Sequence, residues 1–406
     1  MRAHDRRSPL LVGLALSGCV SAAPAPVRPG IEVLIDDSLH LVRDRRVGLL
    51  TNQTGVDAHG VDDVTRLLGA GVQLTAIFSP EHGFRGQLDE ENIGHTRDSA
   101  TGIPIYSLYG DVRAPTPEML DGVDVLLADL QDIGGRPYTY VSTILYTLRA
   151  AVGQGVPVIV LDRPNPLGGV AVDGPLLDTA FASFVGMLPV PLRHGLTMGE
   201  LALFGRAALG LGGTLAVVPV ADWHRSQWFD DTRLPWVRPS PNMPSLESAI
   251  PYPGTVLFEA TNMTVGRGTP VAFQVIGAPW LNPRAVIRRV GDVAGAVLRD
   301  TVIVPEGPTD GKYPGAAVPA IRVHVLDRDR YDPVAAAVWL MAAVRAEHAD
   351  SLRWSPRMDE LAGTDRLRRT IAEGADPAPL LAVWRAESAR FLEARAPYLL
   401  YPPELP

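Results

Sequence analysis

The stretch FSPEHGFRG, residues 78–86, brings together side chains that could carry out acid–base chemistry on an anionic substrate. Glu81 and His82 directly follow an apolar run, and Arg85 stands between two glycines. A glutamate can donate a proton at a reacting bond, glycines permit a tight loop, and a guanidinium can hold an anionic group. A carboxylate that only caps the loop or pairs with Arg85 would give the same pattern.

Similar polar residues stand at the ends of other apolar runs. Because ligands of open α/β sheets bind outside the carboxyl ends of the strands, side chains from separate runs should converge on one site. This convergence favours a functional site that includes Glu81. The residues concerned are Asn52 and Gln53, Asp129 and Asp132, and Asp162, Arg163 and Asn165.

The apolar runs themselves alternate with helical patterns. Continuous apolar strands separated by helices predict a parallel sheet covered on both faces, here a Rossmann-like domain over residues 31–221. No G-x-G-x-x-G follows the first strand, which argues against a nicotinamide or flavin cofactor. The predicted strands are 46–52, 74–80, 103–110, 123–130, 156–162 and 215–223, and the predicted helices are 62–71, 117–123, 138–155 and 197–210.

The second half, residues 222–406, predicts a smaller α/β domain. Its first part, 234–270, is rich in Pro, Asn and Gly and contains Trp236, Tyr252 and Phe258. We expect this segment to fold over the site, where aromatic rings could stack on a sugar, although the rings could equally anchor a long loop. Strands are predicted at 271–277 and 320–327, helices at 283–300 and 333–348, and a helical tail at 367–395.

Composition and charge limit the classes of function. With 406 residues, of which 46% are hydrophobic and 20% charged, the chain is long enough for two domains with cores of their own. The formal charge is −8 and no Lys/Arg-rich block occurs in the sequence. Nucleic acid is therefore not an expected partner, because its binding needs a basic surface.

The N-terminus is typical of an export signal. Three arginines within the first seven residues precede an apolar stretch that is too short to span a bilayer. Cys19 ends LSGC, which resembles the lipobox of bacterial lipoproteins, and as the single cysteine it excludes an internal disulfide. We expect a signal peptide over 1–19, a tether over 20–30, and a lipid anchor on Cys19 that holds the exported protein to a bacterial membrane on its periplasmic or cell-envelope side. An ordinary cleaved signal is the alternative.

A series of motifs carries a family resemblance over nearly the whole chain after the tether. In order, they are LLTNQTG, FSPEHGFRG, IPIYSLYG, DLQDIGGRPYTYVST, VLDRPNPLGG, RHGLTMGELA, WVRPSPNMPS, YPGTVLFEATN and GRGTP. Together they resemble the NamZ family of exo-acting β-N-acetylmuramidases, glycoside hydrolase family 171. The resemblance implies a Rossmann-like domain joined to a smaller α/β domain, with the active site in the cleft between them. It also implies release of terminal N-acetylmuramic acid from the non-reducing end of peptidoglycan fragments, in cell-wall turnover or recycling.

The resemblance also suggests roles for individual residues. Glu81 is the position carried over as the catalytic carboxylate, with His82 beside it, and it would protonate the leaving oxygen. The second catalytic group stays open among Asp129, Asp132 and Glu259. A cation for the lactyl carboxylate of muramic acid could be Arg85, Arg136, Arg163 or Arg267, each of which could instead form a structural ion pair. Further predicted substrate contacts are Asn52, Asp132, Tyr138, Asn165, His194, Asn242 and Asn262.

Three positions depart from the family pattern. Ala260 stands where glycine is usual, and Val265 and Gln274 stand where acidic residues are common. Positions 265 and 274 therefore cannot supply a carboxylate in this chain, and substrate preference could differ from that of the family.

Two other classes of function remain open. A metal-dependent hydrolase could use His82, His95 and His194 with Asp129, but H-x-x-x-H and H-E-x-x-H spacings are absent from the sequence. A sugar-binding or muropeptide-binding lipoprotein without catalysis would share the export signal and the sheet. No G-x-S-x-G is present, which counts against a serine esterase. We predict an enzyme that needs neither a metal nor a cofactor.

Overall fold

The structure is a computed structural model that describes residues 26–86 and 94–402. Its larger sheet has seven strands in the order β3-β4-β2-β1-β5-β6-β7, and all neighbours are parallel except β3 and β4. The strands are β1 Arg46–Thr51, β2 Gln73–Ser79, β3 Thr96–Arg97, β4 Pro104–Ser107, β5 Val125–Asp129, β6 Val158–Leu161 and β7 Leu215–Val218.

Without the short β3, this is the strand order of dinucleotide-binding folds, which confirms the predicted Rossmann-like sheet. The order reverses between β1 and β5, so the crevice at the carboxyl edge opens there. β5 and β6 are buried at every residue, because helices and loops cover both faces of the sheet.

Four helices accompany this sheet: α1 Gly30–Asp37, α2 Asp63–Gly69, α3 Tyr140–Gly153 and α4 Met198–Ala208. The start of α4 is fixed by a capping box between Thr197 and Glu200, and Asp62 caps α2 by accepting from the backbone N–H of Thr65. The predicted helix over 117–123 is wrong. Turns form there instead, because Gly122, with φ of 76°, ends the segment before a second helical turn.

The second half forms a three-stranded antiparallel sheet with helices, in the order β8-β10-β9. Its core is continuous with the one beneath α3 and α4, so the two halves pack tightly together. The strands are β8 Val275–Gly277, β9 Ala296–Ile303 and β10 Val318–Val325. The helices are α5 Leu246–Ala249, α6 Tyr252–Thr255, α7 Pro283–Val290, α8 Pro333–Glu347, α9 Met358–Ala362, α10 Arg366–Ala372 and α11 Ala378–Arg395.

One predicted helix of this half is only partly correct. The segment 283–300 was expected to be a single helix, but α7 ends at Val290 and β9 begins at Ala296. Gly291 and Gly295 have φ of 71° and 74°, which other residues rarely adopt, and they turn the chain between the two elements. Residues 296–303 then pair with all eight residues of β10, and this pairing overrides their local helical preference.

The end of the predicted tether is ordered against the first domain. Val27 is buried with Trp223 and Tyr401, and Arg28 exchanges backbone hydrogen bonds with Ala221 at 3.1 and 2.9 Å. Any tether therefore ends before Val27. The predicted signal peptide and Cys19 lie outside the described residues. Within 26–86 and 94–402, none of the helices has the length and apolar character needed to cross a membrane.

Candidate active site

The loop after β2 carries Glu81. Two successive turns form it, in which the N–H of Gly83 donates to Pro80 O and the N–H of Gly86 donates to Gly83 O, both at 3.1 Å. His82 has φ of 71°, a conformation that is costly for a residue with a Cβ, and such strain is often found at functional sites. His82 is buried, while Glu81 is half-buried and faces a cavity.

Gly86 allows this loop to approach the loop after β1. A Cβ at position 86 would lie 1.9 Å from Cδ of Gln53, so no other residue fits without movement. Gln53 in turn donates from Nε2 to the carbonyl oxygen of Arg238 at 2.8 Å. The second glycine of FSPEHGFRG therefore serves close packing between three segments of the chain.

The cavity beside Glu81 lies between the two domains and has a volume of about 480 Å³. This size is within the range of small-ligand sites in proteins. The first domain contributes Glu81, His82, Tyr109, Arg113, Tyr138, Thr139, Tyr140 and Phe184 to its lining, and the second contributes Ser240, Tyr252, Glu259, Arg267, Phe273, Arg357 and Glu360.

Thr139 orients the carboxyl group of Glu81. Its Oγ1 lies 2.6 Å from Oε2 of Glu81, a hydrogen-bond distance, and it directly precedes α3. A hydroxyl can donate to a carboxylate or accept from a carboxylic acid, so the contact persists in either protonation state. Oε1 is then the oxygen left for a ligand in the cavity.

Glu259 lies in the same cavity and is paired with Arg267. Arg267 Nε donates to Glu259 Oε1 at 2.6 Å, and both side chains are about one-fifth exposed, at 22% and 20%. The guanidinium also lies over the ring of Phe273, at 5.5 Å from its centre. Of the predicted candidates, Glu81 and Glu259 are thus the carboxylates that line the cavity, and they come from different domains.

Tyrosine rings form an aromatic wall of the cavity. Tyr138 packs edge-on against Tyr140 and Tyr252, with ring centres 4.9 and 6.1 Å apart. Burial raises the pKa of Tyr138 and of Tyr252 well above the usual value for tyrosine, so both are neutral phenols. Such rings offer apolar faces for a sugar's C–H groups and hydroxyls for its polar groups.

The predicted aromatic segment 234–270 contributes one of its three named rings to the cavity. Tyr252 lines it, whereas Phe258 is completely buried in the core. Trp236 packs edge-on against Phe229 at 5.1 Å and lines a separate small recess. The segment therefore both covers the cavity and anchors itself.

Asp129 and Arg163 form a buried ion pair outside the cavity lining. Arg163 Nη2 donates to Asp129 Oδ2 at 2.9 Å and to the carbonyl oxygen of Val56 at 2.8 Å, and its Nε donates to Asp129 Oδ1. The side chains are 0% and 5% exposed. Asp129 and Arg163 therefore lie outside the lining of the cavity that contains Glu81, and their predicted catalytic and substrate-binding roles stay predictions.

Asp132 and His194 form a second buried pair. His194 Nδ1 accepts from the N–H of Leu196 at 3.1 Å, so the proton lies on Nε2, which donates to Asp132 Oδ2 at 3.2 Å. Both side chains are almost fully buried and neither lines the cavity. Their predicted contacts with substrate stay predictions.

Several other predicted substrate contacts are structural. Asn165 donates to Leu196 O and accepts from the N–H of Leu167, and Asn52 accepts from the N–H and hydroxyl of Thr54. These bonds fix turns at the sheet edge, so the predicted contacts of Asn52 and Asn165 with substrate are not supported.

Asn262 and Asn242 also differ from the prediction. Asn262 donates to Ser351 O at 2.9 Å and accepts from the N–H of Arg353 at 2.9 Å, which ties it to a neighbouring loop. Asn242 lies 3.3 Å from the hydroxyl of Thr309 and is buried beside the cavity lining.

Two predicted arginines lie elsewhere. Arg136 is buried and donates to four carbonyl oxygens, among them Ala362 O at 2.7 Å in the second domain, so it joins the domains. The side chain of Arg85 is 69% exposed, lies 3.5 Å from Asp98, and is outside the lining of the cavity. The lactyl-binding roles predicted for Arg136 and Arg85 are therefore not supported.

The histidines named for a metal-dependent alternative lie apart. His82 lines the cavity, His95 accepts from the N–H of Ser107, and His194 pairs with Asp132. In the part of the chain that the structure describes, no three His, Cys, Asp or Glu side chains are grouped as ligands for an ion.

The positions that depart from the family pattern lie outside the cavity lining. Ala260 and Val265 are buried in the core, and Gln274 bonds to Ser248 and Arg322. The cavity also contains residues that sequence reasoning missed, namely Tyr109, Arg113, Thr139, Phe184, Arg357 and Glu360. Thr139 stands inside a quoted motif, but Arg113 and Arg357 show no periodicity or motif that would have identified them.

A Rossmann-like sheet joined to a smaller α/β domain, with carboxylates from both domains in a polar, tyrosine-lined cleft, has the features of a carbohydrate-cleaving hydrolase. Two family models match the chain, described as exo-beta-N-acetylmuramidase NamZ, N-terminal, over residues 47–247, and C-terminal, over residues 250–401. The chain belongs to the NamZ family and is a glycosidase of that family. This membership confirms the resemblance inferred from the motifs.

Individual relatives agree with this assignment. The peptidoglycan beta-N-acetylmuramidase NamZ of Bacillus subtilis is 37% identical, over 96% of this chain and 98% of the relative. Two crystal structures of DUF1343 family proteins from Bacteroides fragilis are similar in fold. One has a TM-score of 0.86 and 32% identity over 93% of this chain and 99% of its own, and the other has 0.75 and 30% over 94% and 100%.

Proposed function

We propose that the protein removes N-acetylmuramic acid from the non-reducing end of peptidoglycan fragments, in cell-wall turnover or recycling. The observation that carries this proposal is the cavity between the domains, which Glu81, bonded to Thr139, lines from the first domain and Glu259 lines from the second. The similarity to a peptidoglycan muramidase supports the substrate class. A cavity of about 480 Å³ suits one or two sugar rings and so favours attack at a chain end.

Glu81 is the proposed general acid. As the bond from the anomeric carbon to the glycosidic oxygen breaks, the proton on Glu81 Oε1 passes to that oxygen, and the leaving sugar departs as an alcohol. Thr139 holds Oε2, so Oε1 stays directed at the substrate. The tyrosine wall supplies stacking for the ring that is released.

Glu259 is the proposed second group. Among Asp129, Asp132 and Glu259, it is the one that lines the cavity. Its partner Arg267 stabilises a negative carboxylate, which is what activating water or orienting the 2-acetamido group of the substrate requires. Glu360 also lines the cavity and is a second candidate for this role.

A pair of isomeric disaccharides tests the direction of attack. The purified protein should release free N-acetylmuramic acid from a disaccharide with muramic acid at the non-reducing end, and should act far more slowly on the isomer with N-acetylglucosamine there. Glu81→Gln should release it at least about 100-fold more slowly, and Glu373→Gln, which alters an exposed glutamate outside the cavity, should behave as wild type. Cleavage inside longer glycan chains, read by mass, would contradict exo action.

We also propose that catalysis needs no metal or cofactor, since carboxylate chemistry at a glycosidic bond requires neither. Dialysis against EDTA should leave the rate unchanged. Loss of activity that zinc restores would favour the metal-dependent alternative.

The site of action is proposed to be the cell envelope, with the mature protein anchored by lipid on Cys19 of LSGC. Cys19→Ala should move the protein from the membrane fraction to the soluble exported fraction, and Ser17→Ala should not. Wild-type protein that is exported without lipid would contradict the anchor.

A further inference from the structure

Among the residues that the structure describes, three arginines line the cavity, and their partners differ. Arg267 is already bonded to Glu259 at 2.6 Å. Arg113 and Arg357 are exposed, and neither forms an ion pair with a carboxylate of residues 26–86 or 94–402 within 4.0 Å. Their guanidinium groups are thus available to an anionic ligand in the cavity.

Arg113 is held in place by an aromatic ring. Its Cζ lies 4.7 Å from the centre of the Phe184 ring, a cation–π distance. Stacking uses the flat face of a guanidinium, while its N–H donors point outward in its plane. Phe184 therefore reduces the freedom of the arginine and leaves its donors able to form two parallel hydrogen bonds to a carboxylate.

The helix that supports Glu81 also supports this ring. Ser142 of α3 donates from Oγ to the carbonyl oxygen of Phe184 at 2.8 Å. Tyr146 of the same helix stacks on the Phe184 ring, with centres 6.0 Å apart and planes 14° apart. Thr139, immediately before α3, orients Glu81. One rigid element thus fixes the acid and Arg113 relative to each other.

The charge of the cavity suits a ligand with one carboxylate. Within residues 26–86 and 94–402, the lining has three cations and two anions when Glu81 carries its proton, so a single positive charge remains in excess. They are Arg113, Arg267, Arg357, Glu259 and Glu360. A carboxylate bound there restores neutrality, whereas an uncharged sugar leaves the excess uncompensated.

We propose that Arg113, placed by Phe184, binds the lactyl carboxylate of the terminal muramic acid and selects it over N-acetylglucosamine, with Arg357 contributing from the second domain. The inference rests on the proposed muramidase function. It replaces the four arginines expected from the sequence, which are buried, paired or outside the cavity lining.

The expected effect is on substrate binding. The lactyl group is not at the bond that breaks, so its contact with Arg113 is made in the ground state and the transition state alike. Arg113→Gln should raise KM for 4-nitrophenyl β-N-acetylmuramide, lowering kcat/KM by about 10- to 100-fold with a small change in kcat. Hydrolysis of the matching N-acetylglucosaminide, which lacks the lactyl group, should be unchanged.

A neutral substrate gives an independent measurement. We consider a muramide whose lactyl carboxyl group is converted to a primary amide. Wild type should cleave its glycosidic bond about as poorly as Arg113→Gln cleaves that of the unmodified muramide. On the amide, the variant should be no slower than wild type. Arg113→Lys should recover part of the loss, because it restores charge without the two-pronged geometry. Phe184→Leu should give a smaller loss, and Arg149→Gln, an exposed arginine on α3, should match wild type.

The outcomes separate two failures. If Arg113→Gln and Phe184→Leu both discriminate between the two glycosides as wild type does, the assignment of Arg113 is wrong while the muramidase function stands. Equal losses on both glycosides would show a structural role and also overturn the assignment. If wild type hydrolyses neither muramide nor disaccharide, the proposed function fails and the inference fails with it.

Discussion

Two regions at the carboxyl edge of the sheet contain charged side chains that differ in their burial and in their bonding partners. At the ends of β5 and β6, Asp129 and Arg163 are 0% and 5% exposed and bond to each other. At the end of β2, Glu81 is half-buried, bonds to the hydroxyl of Thr139, and faces a cavity. The difference lies in what covers the strand ends.

Asp129 accepts from the guanidinium of Arg163 with both oxygens, and burial raises its pKa against the opposing effect of that arginine. Removing charges from water is costly, and the partners offset that cost for each other, so neither can take part in proton transfer without losing stability. A half-buried carboxyl that bonds to a hydroxyl through one oxygen leaves its other oxygen for a ligand in the cavity. The buried pair at the ends of β5 and β6 is therefore suited to a structural role, whereas Glu81 at the end of β2 is suited to catalysis.

The largest predicted effect is at Glu81. Glu81→Gln keeps the shape and loses the proton, so turnover of the natural disaccharide should fall by roughly 10²- to 10⁴-fold with little change in thermal stability. The loss should be smaller on aryl glycosides, whose leaving groups need less protonation. Steady-state kinetics and a melting curve measure both. Near-normal turnover on the disaccharide would move the acid role to Glu259 or Glu360.

For Asp129 we predict the opposite result, a large loss of stability with little change in turnover. Asp129→Asn removes a charge from a buried pair and should reduce the free energy of unfolding by about 3 kcal/mol, the lower end for such pairs. The loss is limited because Asp63 Oδ1, 4.0 Å from Arg163, provides a second carboxylate. The kcat of the folded variant should stay within a few-fold of wild type. Urea denaturation and activity below the transition test this, and a stable but inactive variant would contradict the comparison.

The sequence predicted which edge of the sheet bears the site, but not which strand end is open. Continuous apolar runs such as 123–130 and 156–162 identified buried strands, because only a strand covered on both faces tolerates them. Glu81 stood out because glycines follow it within a specific motif. Asp129 had the same position relative to its strand, and its burial depends on distant loops that no local pattern encodes.

Contacts between loops were the least predictable part of the site. Arg113 and Phe184 are 71 positions apart in irregular segments, and their stacking depends on how α3 places the second segment. The strand 296–303 was missed for a related reason, since its pairing with β10 is a tertiary interaction that outweighs local preference.

The buried carboxyl group of Asp162 should make the free energy of unfolding depend on pH. Burial raises its pKa from 3.8 to about 6, although Thr197, Tyr401 and Gly199 donate to it. Between pH 6 and 4 the folded state holds a proton that the unfolded state lacks, so this group makes the protein more stable as pH falls through that window, by up to about 1.4 kcal/mol per pH unit. Asp162→Asn should remove this slope. Urea denaturation of both proteins at pH 7, 6 and 5 measures it, and parallel pH dependences would contradict the prediction.

The smallest effect is predicted for Arg85, which follows Glu81 by four residues in the same motif. Among the described residues, it lies outside the cavity lining. Its side chain is 69% exposed and lies 3.5 Å from Asp98, a geometry that contributes at most about 1 kcal/mol in water. Arg85→Gln should therefore change kcat/KM for the muramide by less than about twofold, against the 10- to 100-fold loss expected for Arg113→Gln. The two variants remove the same charge, so parallel kinetics compare position alone. A tenfold loss for Arg85→Gln would mean that the open region extends beyond the cavity and that the loop after β2 holds substrate as well as the acid.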